Sequence, residues 1–137
     1  MSHARSQIRA GIVALLTGLV TTSNRVFQSR MRPQSDASLP CLLITTNDEQ
    51  IDSSVDGILT RNLTLSVRGI AKGNTTLDAT LDQIALEVET VMAGETNTTF
   101  DRLEIDFDDA LEKTVGSITL HYQFQYFTAA ADPAVLL

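Results

Sequence analysis

At 137 residues, with 43% hydrophobic and 20% charged side chains, the chain is one domain in size and too apolar for wholesale disorder. Its net charge of −7 excludes free duplex DNA as the main partner, because DNA affinity rests on cationic contacts to phosphate. The single cysteine, Cys41, excludes an intrachain disulfide and a cysteine zinc cluster, and fits a reducing compartment.

The first apolar run, residues 11–20, is shorter than the roughly 20 residues of a membrane span. Preceded by Arg5 and Arg9, it has the outline of a signal peptide, but it leads into Thr21, Thr22, Ser23 and Asn24 without a small-x-small cleavage motif. Ile8, Ile12, Leu15, Leu16 and Leu19 recur at helical spacing instead, which predicts an amphipathic helix over about residues 3–21. Gly11 and Gly18 lie along one margin of the stripe, either as places of close backbone approach or as merely tolerated positions.

Arg25, Val26 and Phe27 read as a short strand, followed by a loop carrying Arg30, Arg32 and Pro33. Residues 39–46 predict a buried strand entered through Pro40, and the polar stretch 47–57, with Asp48, Glu49, Asp52 and Asp56, an exposed hairpin loop. Over residues 59–69 the alternation is clean: Leu59, Leu63, Leu65 and Val67 on one face, Thr60, Asn62, Thr64, Ser66 and Arg68 on the other. Thr75 and Asp78 form a capping box for a second helix with the stripe Leu77, Leu81, Ile84, Ala85, Val88 and Val91, ended by Gly94. Two alternating strands follow, one carrying Leu103, Ile105 and Phe107, the other Ile118, Leu120, Tyr122, Phe124 and Tyr126. Residues 129–137 show no periodicity and are expected to be a flexible tail unless a partner orders them. The order α-β-β-β-α-β-β predicts a single α+β domain over residues 1–137, a mainly antiparallel sheet with two amphipathic helices packed on one face.

Chemical motifs are sparse. The sequence has no Gly-rich phosphate loop, no G-x-S-x-G, no H-E-x-x-H and no C-x-x-C. His3 lies in the first helical turn, and His121 on the polar face of the last strand, where a solvent or interface role outweighs a catalytic one. The acids of residues 101–112 lack the glycine and bidentate acid of an EF-hand loop, so they read as a solvated strand edge. The expectation is no enzyme, no metal and no cofactor.

Charge is unevenly distributed. Residues 1–32 hold five arginines and no acid, whereas residues 33–137 hold 17 acids and 5 bases. Such a split is either chance or a basis for head-to-tail contacts between copies. On charge alone, Arg25, Arg30 and Arg32 are candidates to meet Asp48, Glu49 or Asp52 of a neighbouring subunit.

The succession IRAGIVALLTGLVTT, RVFQSR, LPCLLITTNDEQ, RNLTLSVRG, TTLDATLDQIALEVETVM and SITLHYQFQYF resembles the small tail terminator proteins of long-tailed phages and prophages, the lambda type in particular. The likeness is one of layout over nearly the whole chain, most specific from Phe27 through Pro40 to Asp48 and Glu49. It implies a structural virion protein that forms a homohexameric ring, assembled in the bacterial cytoplasm. The ring caps the tail tube and offers a surface for head attachment, with the tail tube protein and the head-tail connector as partners, and without membrane or specific nucleic-acid binding. Two alternatives stay open: a head-tail joining or neck protein of similar fold, and a small ligand-binding or enzymatic domain with His121 or Asp106 at the floor of a pocket.

Overall fold

The computed structural model describes residues 2–28, 38–55, 57–73, 75–108 and 114–137. The element order is α1 (Ala4–Leu16), β1 (Val26–Phe27), β2 (Cys41–Val55), β3 (Ile58–Gly73), α2 (Leu77–Met92), β4 (Thr98–Asp108), β5 (Thr114–Ala129) and β6 (Asp132–Leu136). These form an α+β fold with a six-stranded sheet in the order β1-β2-β3-β5-β4, β6 pairing with β5. All pairs are antiparallel except β1 with β2.

Both helices bury their stripes in one core on one face of the sheet. Ala4, Ile8, Ile12 and Leu16 of α1, four apart, and Leu81, Ile84, Val88 and Met92 of α2 pack on Leu42, Ile44, Leu63, Leu65, Val67, Ile118 and Leu120. The other face carries a smaller apolar cluster, Cys41, Leu43, Ile70 and Val115, with Phe27 and Leu39 against it. α2 comes close enough to β3 that a Cβ on Gly69 would lie 2.7 Å from Ile84 Cγ2, so that contact requires glycine.

Several sequence expectations shift. α1 stops at Leu16 instead of running to residue 21, because Thr17 turns extended and Gly18 adopts φ 97°, a left-handed conformation that ends a helix. Neither Gly11 nor Gly18 marks a close approach within the chain, since a Cβ on either would meet open space. The α2 N-cap is Thr76, whose side chain makes no capping hydrogen bond, and its C-cap is Ala93, not Gly94. The polar stretch after residue 46 is strand: β2 continues to Val55, and its pairing with β3 holds down to Val55 and Ile58. Asp56 lies outside the described residues. In place of an aperiodic tail the chain ends in β6, where Leu137 N donates to Phe127 O at 3.0 Å and Gln7 Nε2 to Ala134 O at 2.6 Å.

Candidate functional site

Polar side chains converge at two places. The first is inside the core, under the start of α1. Between the pairs Thr46↔Leu65 and Glu49↔Leu63, β2 has one residue more than β3, a β-bulge. Strict alternation would point Glu49 away from the helices; the bulge turns it inward.

There Glu49 Oε2 accepts from Arg61 Nη1 at 2.8 Å and from Arg5 Nη1 at 2.7 Å, and Oε1 accepts the Tyr126 hydroxyl. Arg61 Nε donates to Thr128 Oγ1 at 2.9 Å. Burial raises the Glu49 pKa, but the hydrogen bonds from Tyr126 and Arg61 and the nearby Arg5 more than offset it, so the carboxyl titrates below its ordinary range. Burial and the bond to Glu49 push the Tyr126 phenol up to about 12. With the carboxylate ionised and both oxygens bonded, the cluster is built to hold charge in place, not to transfer a proton. Partial burial, then Arg5 and Arg61, also lower the His3 pKa. A neutral ring is what α1 needs, because His3 Nδ1 accepts the Arg5 backbone N–H at 3.0 Å as the helix cap.

The second place is a hollow of about 190 Å³ on the opposite face, lined by Leu43, Thr45, Asn47, Ser66, Arg68, Thr119 and His121. Asn47 Nδ2 donates to Ser66 Oγ at 2.6 Å, and Ser66 Oγ lies 2.9 Å from His121 Nδ1. If the serine proton bonds Nδ1, the imidazole proton sits on Nε2, which has no hydrogen-bond partner and lies 3.8 Å from Glu104 Oε1.

Hydroxyl, imidazole and carboxylate in this order are the elements of an activated serine. An acyl-transfer site also needs donors aimed at the developing oxyanion. Ser66 sits mid-strand, in register with Thr45 on one side and His121 on the other, so its backbone neighbourhood serves the sheet. Among the described residues no group of three or more His, Cys, Asp and Glu is placed to hold a metal ion. No helix among them is long and apolar enough to cross a membrane.

The residues singled out from charge are dispersed. Arg25 Nε donates to Pro40 O at 2.8 Å and its Nη2 to Thr21 O at 3.1 Å, so it ties the turn after α1 to the entrance of β2. Asp48 and Asp52 are exposed on β2, whereas Glu49 is committed to the internal cluster. Arg30 and Arg32 lie outside the described residues. The sequence missed Arg61, which occupies an apolar-face position of β3, and the Asn47–Ser66–His121 line. Ser66 and His121 each stand on a polar strand face, but nothing in the sequence says that β3 and β5 are neighbours.

The sequence matches no protein-family model, and no curated protein is significantly similar to it.

Proposed function

We propose that the chain is a structural subunit that assembles with copies of itself into a ring closing a phage tail tube, as its resemblance to tail terminators implies. The observation that carries this reading is the separation of charge along the chain. Residues 2–28 contain Arg5, Arg9 and Arg25 and no acid, and α1 packs on β2, β6 and β1, of which β1 forms one edge of the sheet. Residues 75–108 contain nine acids against Arg102 alone and supply α2 and β4, the latter forming the opposite edge. Segments of opposite sign in one chain suit head-to-tail association, which closes into a ring when the rotation between copies divides a full turn, although β2 adds the exposed Asp48 and Asp52 beside the basic segment. The named partners are the tail tube protein and the head-tail connector, and the location is the virion tail.

The test is to add the purified protein to polymerising tube protein encoded beside it. The expected result is arrested growth, with a ring at one tube end by electron microscopy. Unchanged elongation with no bound protein would sink the proposal.

A second reading, a small hydrolytic domain, is favoured by the Ser66–His121 contact alone. It requires that a fluorophosphonate label Ser66, and that Ser66→Ala abolish the labelling. An unlabelled wild-type protein removes it.

A further inference from the structure

We infer that the outer edge of β4, with the adjoining flank of α2, is the docking surface for the turn that follows α1 in a second copy of this chain. This rests on the self-assembly reading above and names the surfaces it would use.

The receiving surface is an apolar strip with acidic rims. Leu103, Ile105 and Phe107 pair with Leu120, Ile118 and Gly116 of β5 and therefore face the helix side of the sheet. A Cβ on Gly116 would meet Leu77, Leu81 and Phe107 together, which places the Phe107 ring beside α2. Yet α2 lies over β3 and β5 and stops short of β4, leaving Ile105 45% and Phe107 52% exposed. By helical spacing Asp78, Asp82 and Glu89 project along the flank of α2 toward β4, and Glu89 lines a hollow with Phe100 and Tyr122. Glu104 and Asp106 border the strip from the other face of the strand. An apolar centre with a charged border is the anatomy of a protein interface. A bare edge strand of this kind is otherwise an open invitation to unwanted pairing.

Two β4 edges meeting each other would bring Asp101, Glu104 and Asp106 of both copies together with only Arg102, paired to Glu104 of its own strand, to offset them, so charge disfavours a symmetric edge-to-edge pair. The occupant should carry apolar surface and positive charge. The turn after α1 has both. Val20 is 91% exposed, and Arg25 stands at the foot of the turn with its guanidinium on Thr21 O and Pro40 O, its charge offset in part by Glu87, which holds Thr21.

The turn is firmly built. Gly18 N donates to Ser23 O at 2.8 Å and Ser23 N to Leu19 O at 2.7 Å. Thr21 donates through its backbone N and its hydroxyl to the two oxygens of Glu87, at 2.9 and 2.5 Å. A valine held rigid at a tip loses little freedom on docking. Glu87 lies on the flank of α2 away from β4, so tip and strip are on opposite sides of the molecule. This relation makes a contact between copies heterologous.

The experiment compares Val20→Asp and Ile105→Asp proteins by sedimentation and light scattering, with thermal unfolding as the control for folding. Ile105→Thr serves as a milder variant that keeps a good strand former. Each variant is expected to weaken association at least about tenfold, as for a central interface residue, and to run as a monomer where wild type is a ring. Mixing the Val20→Asp and Ile105→Asp proteins leaves one intact tip and one intact strip, so one-to-one dimers and nothing larger are expected. A Val20→Asp protein that keeps the wild-type mass, or a mixture of folded variants that stays monomeric, overturns the inference while a wild-type ring preserves the self-assembly reading. A wild-type protein monomeric at every concentration and in the presence of tube protein overturns both.

Discussion

Arg61 on β3 and Glu49 on β2 meet beneath α1, Nη1 to Oε2 at 2.8 Å, with both side chains more than nine-tenths buried. Removing Glu49 leaves Arg61 without a carboxylate in the core, whereas removing Arg61 leaves Glu49 with Arg5 and Tyr126. Glu49→Ala is therefore expected to lower stability by about 3–5 kcal/mol, and Arg61→Ala by less. Arg5→Ala, whose side chain is 37% exposed, should cost no more than about 1 kcal/mol. Urea unfolding of the three proteins checks the ranking, which fails if Arg5→Ala is the most damaging.

The same cluster sets the response to acid. Glu49 and Glu87 both titrate below their ordinary value of 4.5, Glu87 because bonds from Thr21, Gln83 and the Val20 backbone outweigh the burial that would raise it. A depressed carboxyl pKa contributes stability that is complete above 4.5 and is lost as pH falls through the folded value. His3, depressed below 6.5, adds a loss of the same sign that begins below that pH. Glu49→Gln should flatten the acid limb of the stability curve, read as the urea midpoint against pH. An acid limb of unchanged slope would show that the cluster does not control it.

At the alkaline end the only two tyrosines, Tyr122 and Tyr126, report directly. Burial pushes both phenols up to about 12. A raised pKa contributes stability present below 10 and lost as pH rises through the folded value. Tyrosinate absorbance is expected to stay flat through pH 10 and then to rise together with loss of secondary structure. An independent rise near 10 would mean that the rings are accessible in the folded protein.

The layout of this fold was legible because its signals are local. Residues four apart in α1 and α2 and two apart in β3 and β5 mark the elements and their buried faces. What was not legible depends on contacts between distant segments. The polar composition of residues 47–55 reads as loop, and only the presence of β3 alongside makes it strand. Glu49 reads as a surface acid until one bulge turns it under α1, and Arg61 is hidden by standing among leucines. The Ser66–His121 contact needs the order of strands, which alternation cannot supply. The alternation of β4 does not reveal that Ile105 and Phe107 stay half exposed, which follows from α2 not extending that far.

Ser66 bridges Asn47 and His121, and its removal would strip His121 of the one ring hydrogen bond it makes among the described residues. Ser66→Ala is expected to destabilise the protein by about 1–3 kcal/mol, the cost of leaving a buried polar atom unmatched. Nitrogen chemical shifts of the His121 ring should show the Nε2–H tautomer in wild type and a mixture in the variant. A wild-type ring protonated on Nδ1 would mean that the serine accepts from the histidine instead of donating to it.

Gly69 offers a test of how tightly α2 is seated. A methyl group there would lie 2.7 Å from Ile84 Cγ2 and 3.4 Å from Ile118 Cγ2, and neither branched side chain can withdraw its γ2 methyl by rotating a distant bond. Gly69→Ala should therefore cost about 1–3 kcal/mol, although alanine restricts the unfolded chain more than glycine does. Ile84→Leu moves the branch outward and removes the clashing methyl, itself at a cost below about 1.5 kcal/mol. The double variant is then expected to be more stable than the sum of the two losses allows, because the second change relieves the first. Strict additivity would place the strain of Gly69→Ala elsewhere, against Ile118 or in the β3 backbone. Ile118→Leu in the same background separates those two, since only a clash with Ile118 is relieved by moving its branch.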